Sequence, residues 1–111
     1  MSFHKKINVG LNGLGRIGRS LLKQMVYDDF FEVTCVNELN SNIENIIYTL
    51  NYDSTYGVSA EKFTNKRSKI IHPFNNNEIN AFNEKNIDKV PWQKQKIDVL
   101  IDASGLKVNS E

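Results

Sequence analysis

The stretch from Ile7 to Arg19, INVGLNGLGRIGR, decides the fold that this sequence predicts. It begins as a short apolar strand, turns at three glycines, and continues as the start of a helix. Gly13 allows a tight turn, Gly15 a close approach to the backbone, and Gly18 the packing of helix against strand. Such a turn brings backbone N–H groups to a helix N-terminus, where a pyrophosphate can bind without meeting side chains. The pattern therefore predicts a nucleotide-binding turn.

Glu38 follows a second apolar run, Phe31 to Asn37 (FEVTCVN), and lies 20 residues beyond Gly18. In a strand–helix–strand unit, the end of the second strand lies beside the adenosine ribose, where a carboxylate accepts hydrogen bonds from the ribose hydroxyls. The same charge repels a 2′-phosphate, and neither Leu39 nor Asn40 can pair with one. The sequence therefore predicts NAD rather than NADP. The alternative is that Glu38 only ends a surface strand, as most acidic residues do.

The composition describes a soluble chain of one domain at most. It has 111 residues, a formal net charge of +1 and no long apolar span. No apolar segment follows the first residues, MSFHKK, so we expect no secretory signal and a cytoplasmic location. The scattered basic residues do not give the footprint of a nucleic-acid-binding protein. A short basic cluster predicts a solvated hairpin; it consists of Lys62, Lys66, Arg67 and Lys69.

Candidate catalytic side chains are few. Cys35 is the only cysteine, so an intramolecular disulfide is impossible, and its place in the second strand predicts a buried, inert thiol. Neither His4 nor His72 has a cysteine or a carboxylate at a useful spacing, and both are expected to be solvated. The sequence predicts no catalytic residue and no metal site in this chain.

Two amphipathic patterns predict helices. The first covers about residues 16–28, with Ile17, Leu21 and Met25 on the face toward the sheet. Before the second, Ser41 and Glu44 fit a capping box, and the helix is predicted to run to about residue 50. Its buried side chains are predicted to be Ile43, Ile46 and Ile47.

Strands are predicted at about residues 6–12, 31–37, 78–82 and 97–103, with a loop over 51–57 and a small hairpin over 58–71. This order predicts an α/β chain that holds the N-terminal half of a Rossmann-type doubly wound parallel sheet, with the hairpin inserted. The last strand, IDVLIDA, is apolar, and at an uncovered sheet edge it would promote self-association.

Four motifs together resemble the N-terminal part of a glyceraldehyde-3-phosphate dehydrogenase. NGLGRIGR at residues 12–19 is similar to the family's NGFGRIGR, with Leu14 in place of phenylalanine. VNE at 36–38 is similar to IND, and YDSTYG at 52–57 is similar to YDSTHG. DASG at 102–105 is similar to the ESTG that ends the fourth strand of the sheet. The hexapeptide has no dinucleotide-binding role of its own, so it separates this family from other Rossmann proteins.

The resemblance implies NAD as the cofactor and places residues around it. The pyrophosphate would be lined, mostly through backbone groups, by Asn12, Gly13, Arg16 and Ile17. Glu38 would hold the adenosine ribose, and the backbone of Asn83 to Lys85 would touch the adenine, with Lys85 where the family usually has arginine. Ser104 and Gly105 would flank the cofactor at the switch point between the first and fourth strands.

Three further features of the sequence bear on the resemblance. Lys107 stands where the family usually has an aromatic residue against the adenine, a change that should weaken adenine binding or alter its contacts. The second strand ends in NE, and Pro91–Trp92 precede IDVLIDASG. Both features resemble the sister enzyme erythrose-4-phosphate dehydrogenase, so the choice of aldehyde stays open.

The family's reaction chemistry is not carried by this chain. That reaction needs a cysteine thiolate to attack the aldehyde and a histidine to activate the thiol, after which hydride leaves to the nicotinamide and phosphate releases the acyl group. The nucleophile's motif, SCTTNC, is absent, and Cys35 lies in the ribose half of the sheet.

The resemblance therefore implies that residues 1–111 are a partial NAD-binding Rossmann domain, with the catalytic domain absent from this chain. A phosphorylated aldehyde and a homotetramer are implied for the parent enzyme, and no nucleic acid or membrane is expected as a partner. The chain ends just after the fourth strand, at Ser110–Glu111, which favours truncation. Two other interpretations stay open: a standalone nucleotide-binding module without a catalytic task, and a fragment that complements a partner subunit.

Overall fold

The computed structural model describes residues 5–40, 42–52 and 62–104. Within them, in chain order, the elements are β1 (Ile7–Asn12), α1 (Arg16–Val26), β2 (Phe31–Asn37), α2 (Ile43–Tyr52), β3 (Thr64–Lys66), β4 (Lys69–Ile71), β5 (Glu78–Phe82), the 3₁₀ turns Ile87–Lys89 and Trp92–Gln95, and β6 (Val99–Asp102). The strands predicted at about 6–12, 31–37 and 78–82 are confirmed. Parts of the predicted loop and hairpin, residues 53–61, lie outside the described residues.

The strands form one sheet in the order β3-β4-β5-β2-β1-β6. Strands β5, β2, β1 and β6 are parallel, while β4 pairs antiparallel with both β3 and β5. Parallel neighbours require a crossover connection, and α1 and α2 lie in the two that lead from β1 to β2 and from β2 to β5. The predicted Rossmann-type α/β fold is confirmed, and the hairpin extends the main sheet.

Strand β6 pairs only with β1 among the described residues, and it is shorter than the predicted span 97–103. Just before it, the Asn8 N–H donates to the Asp98 carboxylate at 2.8 Å, and the Asp98 N–H donates to the Asn8 carbonyl at 2.7 Å. Val99 and Leu100 are 45% and 40% exposed. Self-association of the chain through this edge therefore stays a prediction.

Helix α1 buries one face against the sheet. Gly18, Leu22, Met25 and Val26 are its buried residues, and Leu21 packs at the border of the core. The prediction that Ile17 belongs to this face was wrong, because Ile17 is 66% exposed. The buried stripe runs through Gly18, Leu22 and Met25, and Ile17 lies about 100° from Gly18 around the helix, so its side chain points away from the core.

Helix α2 is capped by Asn42. The Oδ1 atom of Asn42 accepts a hydrogen bond from the Asn45 N–H at 2.8 Å, so the helix begins one residue later than the predicted capping box with Glu44 requires. Ser41 itself lies outside the described residues. Of the predicted isoleucines, Ile46 is buried, and Ile43 and Ile47 pack at the border of the core.

The indole ring of Trp92 packs against β1 at Gly10. A Cβ added at Gly10 would lie 3.0 Å from the Trp92 ring and 3.0 Å from Ile97 Cδ1, so only glycine gives the indole this place against β1. The Trp92 Nε1–H donates to the Ile87 carbonyl at 2.9 Å.

Cys35 is fully buried, and burial raises the pKa of its thiol to about 11. The predicted burial of this thiol is confirmed.

His72 is buried at the end of β4, where it holds the turn that leads to β5. Its Nδ1 accepts hydrogen bonds from the backbone N–H groups of Phe74 and Asn75, at 3.1 and 3.3 Å. The expectation of a solvated His72 was wrong, because its ring turns back onto this loop and lies edge-on to Phe74. Burial lowers the pKa of His72, with Lys6 adding to the effect and Glu32 opposing it.

Mild acid should destabilise the fold through His72. A proton on Nδ1 would remove both acceptor bonds, so the unfolded chain takes up the proton first, at its ordinary pKa of about 6.5. The free energy of unfolding should be fully retained above that pH and should fall as the pH drops through about 6.5 toward the lower pKa of the folded state. Urea denaturation between about pH 7.5 and about pH 5.5 measures this.

The matched control is His72→Asn, whose Oδ1 can accept the same backbone bonds without titrating in this range. Its unfolding free energy should be nearly independent of pH over the interval. If the free energy of unfolding of His72→Asn fell with pH as steeply as that of the unmodified protein, the loss of stability in acid would not come from His72.

Candidate functional site

The four parallel strands end on the same edge of the sheet, and the predicted site residues gather there. Asn12 ends β1, Glu38 follows β2, Lys85 comes three residues after β5, and Ser104 lies two residues after β6. Strands β1 and β6 are neighbours at the point where the chain changes direction across the sheet. In an open α/β sheet, this switch point forms the ligand crevice.

The turn after β1 depends on two glycines. Gly13 has a φ of +101°, a conformation that side-chain-bearing residues rarely adopt, and a Cβ there would lie 2.5 Å from Ser104 Cα. A Cβ on Gly18 would collide with the carbonyl oxygen of Gly13. The proposed roles of Gly13 in the tight turn and Gly18 in close helix packing fit this geometry.

Gly15 is unconstrained by the protein itself. It is the N-cap of α1 with φ −73° and ψ −159°, and a Cβ there would meet no atom of the described residues within 4 Å. The helix has neither a side-chain cap nor an acidic residue in its first turn, and Arg16 and Ile17 are exposed. The first backbone N–H groups of a helix have no partner within it. The positive end of α1 therefore faces the crevice with no acidic residue in its own first turn.

The turn is held in shape before any ligand binds. The Gly13 N–H donates to the Asn37 carbonyl at 2.7 Å, and the Leu14 N–H donates to Glu38 Oε1 at 2.6 Å. On its other side, the Leu14 carbonyl accepts from Arg19 Nη1 at 3.1 Å. These bonds fix the peptide groups on both sides of Leu14, so little ordering is required on binding.

Glu38 joins the second strand to this turn. Besides the bond from Leu14, its Oε2 accepts from the Asn40 N–H at 2.8 Å. Each carboxylate oxygen can accept more than one hydrogen bond, so both oxygens keep capacity for hydroxyl donors. The carboxylate is thereby oriented at the edge of the crevice where the sequence predicts a ribose.

A row of three polar side chains crosses the strand ends. Asn12 lies opposite both Asn37 and Asp102 in the sheet register. The Asn37 Nδ2 donates to Asn12 Oδ1 at 2.8 Å, and the Asn12 Nδ2 donates to Asp102 Oδ1 at 3.1 Å. We call these three side chains the polar row. Sequence reasoning missed Asn37 and Asp102, although each is the polar residue that ends an apolar strand.

Each end of the polar row bonds to a crevice loop. At the β5 side, the Glu84 N–H donates to Asn37 Oδ1 at 2.8 Å, and the Asn37 Nδ2 donates to the Glu84 carbonyl at 3.0 Å. At the β6 side, the Ser104 N–H donates to Asp102 Oδ1 at 3.1 Å. Partial desolvation raises the pKa of Asp102, but the hydrogen bonds from Asn12 and Ser104 outweigh it and leave the pKa below its ordinary value.

Lys85 is exposed on the β5 side of the crevice. It lines an open depression together with Glu84, Asn86, Ile87 and Lys89. Gly105 and Lys107, the remaining positions predicted to approach the cofactor, lie outside the described residues. Across residues 5–40, 42–52 and 62–104, no three metal-ligating side chains come together, and no helix is long and apolar enough to span a membrane.

The glycine turn, the uncapped helix start and the carboxylate after the neighbouring strand define a dinucleotide-binding domain of the Rossmann class. The family model for the glyceraldehyde 3-phosphate dehydrogenase NAD binding domain matches residues 7–110. The chain belongs to this family, and NAD is its cofactor. The family resemblance seen in the four sequence motifs is confirmed.

Similar proteins of known name agree with this assignment. A glyceraldehyde-3-phosphate dehydrogenase of Mycosarcoma maydis is 32% identical over 101 residues, covering 91% of this chain and 29% of the relative. Glyceraldehyde-3-phosphate dehydrogenase 2 of Staphylococcus epidermidis is 36% identical over 98 residues, covering 88% and 28%. Glyceraldehyde-3-phosphate dehydrogenase 1 of Caenorhabditis elegans is 32% identical over 109 residues, covering 96% and 32%. The chain thus spans less than a third of the length of these relatives.

Two glycine substitutions should separate binding from folding. Gly15→Val should keep the fold, because its Cβ meets no atom of the described residues within 4 Å, and should abolish NAD binding by filling the space before the helix N–H groups. Gly18→Ala should lower the free energy of unfolding by about 1–3 kcal/mol or more, because its Cβ meets the Gly13 carbonyl. Thermal denaturation and calorimetric titration with NAD measure the two effects. A Gly15→Val variant that binds NAD normally would show that the turn has only a structural role.

Proposed function

We propose that residues 1–111 form the N-terminal, partial NAD-binding domain of a phosphorylating aldehyde dehydrogenase whose catalytic domain lies in another part of the polypeptide. In that enzyme, hydride passes from a phosphorylated aldehyde to the nicotinamide ring of NAD. The observation that supports this most strongly is the preformed glycine turn, bonded to Glu38 and open at the start of α1. The named relatives are all glyceraldehyde-3-phosphate dehydrogenases.

The chain's own residues bind and orient the cofactor. The first N–H groups of α1, around Gly15, Arg16 and Ile17, hold the pyrophosphate, and the helix dipole favours its negative charge. Glu38 accepts hydrogen bonds from the adenosine ribose and repels a 2′-phosphate. On the two flanks, the segment at Lys85 lies toward the adenine and Ser104 toward the nicotinamide.

Glyceraldehyde 3-phosphate is the proposed substrate, with a role in glycolysis and gluconeogenesis, a cytoplasmic location and a homotetrameric enzyme. Erythrose 4-phosphate is the alternative, favoured by Glu38 at the end of β2 and by Pro91–Trp92 before β6. A non-catalytic nucleotide-binding module is the alternative of a different class. Comparing NADH formation with the two aldehydes, in the longest natural polypeptide that carries this sequence, separates the three. The module hypothesis predicts NAD binding with turnover of neither aldehyde.

Glu38 variants should test cofactor choice. Glu38→Gln keeps an oxygen that can accept from the Leu14 N–H but loses the charge, so the preference for NAD over NADP should narrow by about tenfold, or about 1.4 kcal/mol. Glu38→Ser should narrow the preference too, and it should also weaken NAD binding, because the Leu14 N–H loses its partner. Calorimetric titration of each variant with both cofactors measures this. Tighter binding of NADP than of NAD by the unmodified protein would reject the ribose assignment.

The 111-residue chain alone should bind NAD weakly at best and show no phosphate-dependent oxidation of either aldehyde. Its Cys35 is buried with a raised thiol pKa, and the buried Nδ1 of His72 is committed to backbone N–H groups, so neither can supply or activate a nucleophile. Absorbance at the NADH band measures turnover, with Cys35→Ser as the control. Turnover in both the unmodified chain and Cys35→Ser would show that another nucleophile acts.

A further inference from the structure

Hydrogen bonding along the polar row has a direction that is fixed at both ends. At one end, the ionised Asp102 carboxylate can only accept, so Asn12 presents its Nδ2 to it and turns its Oδ1 toward Asn37. At the other end, the Glu84 N–H can only donate and its carbonyl can only accept, which fixes the amide of Asn37. Turning over either amide would break bonds on both of its sides, so the three side chains are arranged as a unit.

Burial makes these bonds costly to lose. Asn37 and Asn12 are 4% and 9% exposed, and water cannot readily replace a missing partner at either amide. Asp102 differs, because its residue is exposed while its Oδ1 still accepts from Asn12 and Ser104. It can therefore be substituted without opening a cavity in the core.

The polar row joins the two ends of the crevice. Glu84 immediately precedes Lys85 on the adenine side, and Ser104 lies on the nicotinamide side. Asn37 and Asp102 are two strands apart, about 10 Å, so the side-chain hydrogen bonds connect them through Asn12. Main-chain hydrogen bonds link the same strands in pairs beside the row, from the Ala103 N–H to the Asn12 carbonyl and from the Gly13 N–H to the Asn37 carbonyl, both at 2.7 Å.

We propose that Asn37, Asn12 and Asp102 are positioning residues that fix the spacing between the adenine and nicotinamide sides of the crevice. This rests on the proposed NAD site. A dinucleotide spans both sides and gains affinity from the fixed spacing, whereas a mononucleotide such as AMP binds one side and gains none. The row thereby favours whole dinucleotides over their halves.

The test begins at Asp102, with NAD and AMP as the two probes in calorimetric titrations of the full polypeptide that carries the chain. Asp102→Ala removes the acceptor and should weaken NAD binding about tenfold, with AMP binding within about twofold of the unmodified protein. Asp102→Asn keeps a carbonyl oxygen for Asn12 and Ser104 and should restore NAD binding to within about twofold. The proposal would be overturned if all three proteins bound NAD with equal affinity, or if the Asp102→Asn variant bound NAD as weakly as the Asp102→Ala variant.

A double-mutant cycle tests the connection through Asn12. Asn37→Ala should weaken NAD binding, and the loss in the double variant with Asp102→Ala should be clearly smaller than the product of the two single losses, because one break already separates the two sides. If the loss of NAD affinity in the double variant equals the product of the two single losses, the two residues act independently and the proposal is overturned. If Asn37→Ala does not fold, the comparison of Asp102→Ala with Asp102→Asn tests the proposal by itself. Absence of NAD and AMP binding in the unmodified protein would instead refute the proposed function.

Discussion

The site depends on the close contact between Gly18 of α1 and the carbonyl of Gly13. A Cβ at Gly18 would collide with that oxygen, and a Cβ at Gly13 would collide with the Ala103–Ser104 backbone. The absence of both side chains lets the helix begin directly over the turn and the turn lie directly against the loop after β6. The backbone N–H groups at the start of α1 consequently face the switch-point crevice, where an anion gains most from the helix dipole.

The polar contacts at the strand ends add side-chain hydrogen bonds to the main-chain bonds that hold this geometry, such as the one from the Gly13 N–H to the Asn37 carbonyl. Glu38 holds the turn through the Leu14 N–H, and Asn12 and Asn37 connect three strand ends through side-chain amides. A buried polar group without a partner costs about 1–3 kcal/mol, so buried amides at these positions specify one arrangement of the loops. The candidate site thus consists mainly of backbone groups whose positions are set by a few side chains.

Much of this arrangement was predictable from the sequence, because glycine spacing and strand order are local features. The turn, β1, β2, β5 and the gathering of Glu38 and Ser104 at one edge follow from them. The exposure of Ile17 did not, because the fourfold spacing of apolar residues does not fix which of two neighbouring stripes of the helix faces the sheet. His72 is held by its own loop, whose shape the sequence pattern did not give. The bonds of Asn37 and Asp102 to Asn12 depend on neighbours distant in the chain, which a single sequence does not reveal.

The backbone amide resonances of the protein, followed during titration with NAD, report directly on the role of this turn. The largest, saturable shifts are expected at Gly15, Arg16 and Ile17, with little change at Phe74 and Asn75, which lie at the opposite end of the sheet. Shifts confined to that opposite end, or no change at the start of α1, would contradict the claim that this turn holds the cofactor's pyrophosphate.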